Sequence, residues 1–190
     1  MPRSLHVLSM FALTLLASFA TAQDRGDPPP PLGTASFIPP EGNTKLQPLT
    51  PERFVVRAAV TNMAEIELSQ LALEKSSDAA IRQYANQLIR DHQAAQAKLK
   101  TVAATAKIAL PGTVDEDHRK QKQKLEELTG ADFDKQYIAL MHSGHQQATT
   151  LLESASKSTE LAAALKNYAS ETLRTVKMHA AEAEKLHAGR

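Results

Sequence analysis

The sequence predicts an all-helical domain, an antiparallel four-helix bundle with one short extra helix before the third long one. Three observations lead there. Ala, Leu, Lys, Glu and Gln, all strong helix formers, dominate the composition, while aromatic residues make up only 4% and Trp is absent. Of the seven glycines, Gly26, Gly33, Gly42 and Gly189 lie outside the region that reads as folded, too few turn residues for a β-rich fold. Apolar residues recur at helical spacing from about residue 51 to residue 187, interrupted only by short breaker segments.

The first 50 residues stand apart. Residues 1–22 read as a secretory signal: Arg3, an apolar stretch from Leu5 to Phe19, and Ala20-Thr21-Ala22 as a small-residue cleavage site. The apolar stretch is short for the ~20 residues a membrane span needs, and no other segment reads as one. The expectation is an exported protein, periplasmic or in the cell envelope, with no transmembrane domain after cleavage. Residues 23–50 carry Pro28-Pro29-Pro30-Pro31, Pro39-Pro40 and Pro48. Proline removes the backbone donor and fixes φ, so this stretch reads as an extended, disordered spacer. Residues 51–188 are then the folded domain.

Without residues 1–22 the chain loses one cation, Arg3, and carries 21 basic and 21 acidic residues. Such a balance gives no reason to expect nucleic acid or an anionic membrane as partner. With no cysteine there is no disulfide, no thiolate chemistry and no lipid anchor through an N-terminal Cys.

Thr50-Pro51-Glu52 is a helix start: a hydroxyl to cap free N–H groups, proline in the first turn, a carboxylate at the positive end of the dipole. The first helix is expected over residues 51–75, with Ser76-Ser77-Asp78 as turn and new cap. In the second, over about 78–107, Ile81, Leu88, Ala95 and Val102 repeat every seven residues, as do Ala85, His92, Leu99 and Ala106, making a seam for nearly parallel packing. Leu110-Pro111-Gly112 ends it. Thr113-Val114-Asp115-Glu116 resembles a capping box for a short polar helix to about Leu128, and Thr129-Gly130 breaks that. A long helix over 131–157 follows, and Ser158-Thr159 restarts the chain into a last helix reaching about His187. Mostly tight turns favour antiparallel neighbours. A domain of about 140 residues buries roughly two-thirds of its unfolded surface, so any metal would serve function more than stability.

Glu65, His92, His145 and His179 each occupy an apolar stripe, one on each long helix. A buried carboxylate is costly unless paired or metal-bound. Imidazoles and a carboxylate converging in a bundle core suit one transition metal ion, Zn, Fe, Mn or Cu. The competing reading is a set of core histidines hydrogen-bonded across the bundle, with Glu65 as their ionic partner. Counting residues from the turns sets His179 about 12 Å along the axis from the other positions at ~1.5 Å per residue, so its layer stays open. His142, three residues before His145, either shares that face or meets solvent. Asp91, adjacent to His92, reads as a surface ion-pair partner or cap-like group, with support of a metal ligand as the alternative, and His118 and His187 carry no signal. The Glu-x-x-His pairs of di-iron bundles are absent: Ile89, His142 and Val176 stand three residues before the candidate histidines. There is no Ser/His/Asp pattern, P-loop or dinucleotide motif, so no reaction is assigned.

The residues also resemble a known family. Ala64-Glu65-Ile66-Glu67-Leu68 with Leu71-Ala72-Leu73-Glu74-Lys75, Tyr84-Ala85 through Asp91-His92, Leu110-Pro111, Leu128 through Asp134 with Tyr137, Met141 with His145, and Thr172-Leu173 with His179 look like the DUF4142 family over about residues 52–187. The resemblance implies a ferritin-like bundle and an envelope location, and no established activity. Many relatives carry Asp where this chain has Gly144, and Pro where it has Arg174. The first change removes a carboxylate near the third-helix histidine; the second removes a kink that would bring His179 level with the others. Three functions follow as expectations: a metal-binding bundle, a non-catalytic envelope interaction or stress-related module with a protein partner and no metal, and, by fold analogy alone, an oxidase or catalase-like enzyme. Oligomeric state is left open.

Overall fold

The computed structural model describes residues 48–189. Five helices follow in order: α1 (Pro51–Lys75), α2 (Ala79–Thr105), α3 (Glu116–Glu126), α4 (Gly130–Lys157) and α5 (Ala163–Ala188). No strand occurs among the described residues, and none of their helices is long and apolar enough to cross a membrane. The proposed signal and nearly all of the proline-rich spacer lie outside the described residues.

The caps explain most boundaries. Thr50 Oγ1 accepts from the Arg53 N–H at 3.3 Å and Pro51 begins α1. Asp78 Oδ1 accepts from the N–H groups of Ala80 and Ile81 at 2.8 and 3.0 Å. The α3 start differs from the expected capping box: Asp115, not Thr113, is the cap, and its carboxylate takes the His118 N–H at 3.0 Å. Helix α2 stops two residues early because Lys107 turns to φ 59°, a left-handed conformation that ends the helix and turns the Ile108 N–H back onto the Ala103 carbonyl. Gly130 opens α4 at φ 55°, where a residue without Cβ is at least cost. Helix α5 begins at Ala163, not at Ser158-Thr159. Ser158 caps the end of α4 and its hydroxyl accepts from the Glu160 N–H, while Leu161 is buried in the core, so the segment closes a loop before it can start a helix.

Helix α1 packs chiefly on α2, and α4 on α5; contacts of α2 with α5 and α1 with α4 close the square. Its interior holds two apolar clusters, one at each end. One combines Leu68, Ala72, Ile81, Leu88, Phe133, Tyr137 and Met141. The other combines Phe54, Leu99, Leu152, Leu165, Tyr168 and Val176. The start of α1 therefore shares an end with the finish of α2, the finish of α4 and the start of α5. Each pair of neighbours runs antiparallel, while α2 and α4 run the same way. Connecting α2 to α4 requires a crossover along the bundle, not a tight turn. Ile108 and Leu110 pack on the second cluster, Val114 and Leu125 on the first, so the segment through α3 makes that return. Up–down, long crossover, down–up is the ferritin-like arrangement.

Leu88 is fully buried in the first cluster. Chemical denaturation should show Leu88→Ala lowering the unfolding free energy by about 2–5 kcal/mol, and loss of the Asp78 cap in Asp78→Ala lowering it by about 1 kcal/mol.

Candidate metal centre

Each long helix passes from one apolar cluster to the other, and each carries its candidate residue at the crossing. Glu65 from α1, His92 from α2, His145 from α4 and His179 from α5 are 0%, 3%, 0% and 1% exposed. The three imidazoles meet: ring centroids are 5.9 Å apart for His92 and His145, 5.4 Å for His92 and His179, and 5.3 Å for His145 and His179. One nitrogen from each ring lies within 4.8 Å of the other two. His179 is therefore in the same layer as the others. Its later helix start removes part of the expected axial offset.

The second nitrogen of each ring is already used. Asn62 Nδ2 donates to Gln96 Oε1 and to the Tyr168 hydroxyl, which leaves Asn62 Oδ1 to accept from His92 Nδ1 at 3.0 Å. His145 Nδ1 donates to the Met141 carbonyl at 2.7 Å, one turn back on its own helix. His179 Nε2 donates to Asp91 Oδ2 at 2.8 Å, and the Tyr84 hydroxyl holds the His179 carbonyl at 3.1 Å. These bonds fix each tautomer. The lone pairs remain on His92 Nε2, His145 Nε2 and His179 Nδ1, and those three buried atoms have no protein partner.

Burial keeps all three rings neutral. Desolvation pushes His92 far below the usual imidazole range, and its neighbours His145 and His179 push it further. Desolvation takes His145 down to about 3. His179 is also lowered by burial, though the Asp91 carboxylate pulls it partly back. Glu65 responds the other way: desolvation raises it to about 8, so it is a neutral acid at pH 7. Both of its oxygens are buried without a hydrogen bond. The Glu65 carboxyl lies 3.8 Å from Nδ1 of His145, beside the nitrogen that serves Met141, and it stands outside the three-imidazole cluster.

For three atoms within 4.8 Å of one another, a central point lies no more than about 2.8 Å from each. Imidazole–metal bonds are about 2.0–2.1 Å long, so an inward shift of under ~1 Å per ring would ligate an ion. A cleft of about 120 Å³ between α2 and α5 reaches the cluster and is lined by Asp91, His92, Lys98, Glu171, Thr172 and His179 among others.

Residues 37–186 match the family model described as "Domain of unknown function (DUF4142)". The chain belongs to the DUF4142 family. No curated protein matches it. Among solved structures, a DUF305 fragment from Deinococcus radiodurans is similar at a TM-score of 0.64 and 15% identity, over 75% of this chain and 99% of that one. That likeness is one of fold.

Within this DUF4142 bundle, α5 runs unbroken through Arg174 from Ala163 to Ala188, and His179 joins the layer without a proline kink. Asp91 is the main correction. It is not a cap: with its side chain 35% exposed, it pairs across the helix boundary with His179 on α5 and orients that ring. Sitting one residue before an inward histidine puts it on the flank of α2 that α5 covers, a signal available once the helix order is known. Asn62 was missed as well; it lies three residues before Glu65, on the same face of α1. His142 turns outward, stacking on His187 with centroids 5.2 Å apart and binding Gln146. His118 is buried, held by the Asp115 that caps its own helix.

These shifts give the metal-free protein a defined pH profile. The folded histidines refuse protons that the unfolded chain takes up near pH 6.5, so stability falls as pH drops below that value. Glu65 keeps a proton that the unfolded chain releases near pH 4.5, so its contribution is lost as pH rises toward about 8. Thermal unfolding in chelator should show a maximum near pH 6.5, a fall on the acid side, and a shallower alkaline fall that ends near pH 8 and disappears in Glu65→Gln.

Proposed function

We propose that this protein is an exported metal-binding bundle that holds one transition metal ion on Nε2 of His92, Nε2 of His145 and Nδ1 of His179. The observation that carries this reading is a buried cluster of three imidazoles, one nitrogen of each within 4.8 Å of the others, in which every ring keeps one nitrogen without a protein partner. Leaving a buried polar atom unsatisfied costs about 1–3 kcal/mol. Here each ring is fixed by an acceptor on its far nitrogen, the outer support that metal-ligating histidines commonly have. Neutral rings also bind an ion without first losing a proton.

Three nitrogen donors suit Zn, Cu or Fe more than Mn, which favours oxygen ligands. Glu65 supplies the compensating charge. An ion close by favours the ionised carboxylate, and a single buried negative charge offsets part of the ion's +2. No group in the layer is placed as a nucleophile or a general base toward a substrate, so the reading is binding, with no reaction attached. Residues 1–22 support export, and a periplasmic or envelope location goes with it.

Elemental analysis of tag-free protein tests this. The wild type should carry close to one metal equivalent, and His92→Ala/His145→Ala should carry none. Asp91→Asn should keep the fold and weaken affinity about 10–100-fold, because only the orientation of His179 is disturbed. Equal metal content in the wild type and the double variant would sink the proposal.

A further inference from the structure

Three protein ligands leave a four-coordinate ion one short. Glu65 is placed to compensate charge, but its carboxyl is beside Nδ1 of His145 and outside the cluster of lone pairs. The surroundings of the layer differ sharply between its two sides. Toward the second apolar cluster, a pocket of only about 20 Å³ touches His92 and is walled by Ala58, Leu151 and Leu152. Toward α2 and α5 lies the cleft of about 120 Å³. Its outer walls, Lys98 and Glu171, have half or more of their side chains in solvent, while His92 and His179 at its inner end are buried. The cleft thus runs from the surface to the rings of two of the three imidazoles. Its volume is several times the ~10–15 Å³ that one water requires, and far below what a large substrate would occupy.

We infer that the ion keeps one coordination position open toward this cleft and takes a small monodentate ligand there, water or hydroxide at rest and a small anion in exchange. The inference rests on the metal-binding reading above. Three histidines with an exchangeable fourth position distinguish a working site from a closed structural one. At the mouth, the Lys98 ammonium is paired with Glu171 Oε2 at 3.2 Å, so a passing anion meets a cation without a strong net field. Thr175 adds a hydroxyl to the wall that suits water or an oxyanion, while the hydroxyl of Thr172, also on the wall, bonds to Tyr168. The chemical class follows from the space and the ion: hydroxide, azide, cyanide or a similarly small donor.

Cobalt(II) substitution with azide titration separates the two layers of the claim. The metal-free full-length protein is loaded with Co(II), and the visible d–d bands are followed as azide is added. The expected result is intense bands of low-coordinate Co(II), shifting with saturation at one azide per ion. Ala95→Phe, which fills the cleft from α2 without replacing a ligand, should keep the bands and weaken the azide response at least tenfold. Thr175→Leu gives the same test from α5 should the first variant fold poorly. Bands that form but ignore azide would overturn the open position and leave the metal site standing. A wild-type azide response left intact in a filled-cleft variant that still binds cobalt would overturn the route. Absence of the bands from the wild type would remove both the site and its open position.

Discussion

The bundle is organised around a polar layer that apolar packing alone would not tolerate. Between two fully apolar clusters sit three imidazoles and a carboxyl, all nearly inaccessible to water. Five of their polar atoms, the two Glu65 oxygens and one nitrogen from each histidine, meet no protein partner. The clusters hold this layer together by bulk: Leu68, Leu88, Phe133 and Met141 on one side, Phe54, Leu99 and Leu165 on the other, are essentially sealed. Neutrality is the condition for that arrangement, since charged forms would be far more expensive at this depth. Lowered histidines and a raised Glu65 are two expressions of the same desolvation.

Position in the layer comes from topology. The crossover through α3 makes α4 run parallel to α2, so that the middle of every long helix falls at the same height. The remaining nitrogens are oriented from three directions: by the Asn62 amide from α1, the Met141 carbonyl within α4, and the Asp91 carboxylate reaching from α2 to α5. Because Asp91 and His92 are adjacent in sequence, one turn of α2 supplies both a candidate ligand and the group that aims another ligand on a different helix. The same fold, at a TM-score of 0.64, occurs in the DUF305 fragment. The likeness concerns the scaffold and leaves the layer to be judged on its own residues.

Much of this could be read in the sequence. Thr50-Pro51 and Asp78 mark helix starts by direct capping, and the α2 seam finds the core at Ile81, Ala85, Leu88, His92 and Leu99 but drifts off it by Ala106, where Ala103 is buried instead. One imidazole or carboxylate per stripe identified Glu65, His92, His145 and His179, and the bundle brings the three histidines together. What escaped depended on contacts between helices. Asp91 reads as surface on an isolated α2 and acquires its role only when α5 covers it. Asn62 looks like an ordinary interruption of α1 until its amide is seen between His92 and Tyr168. Residue counting misplaced His179 because Ser158 to Ala162 has the hydroxyls of a helix start but is drawn into a loop by buried Leu161.

The most direct measurement is a crystal structure of metal-soaked protein with anomalous scattering collected at the metal edge. A single dominant peak is expected in the bundle interior, about 2.0–2.2 Å from Nε2 of His92, Nε2 of His145 and Nδ1 of His179. An interior without a peak, or with ordered water among the three rings while metal collects only at the surface pair His142 and His187, would contradict it.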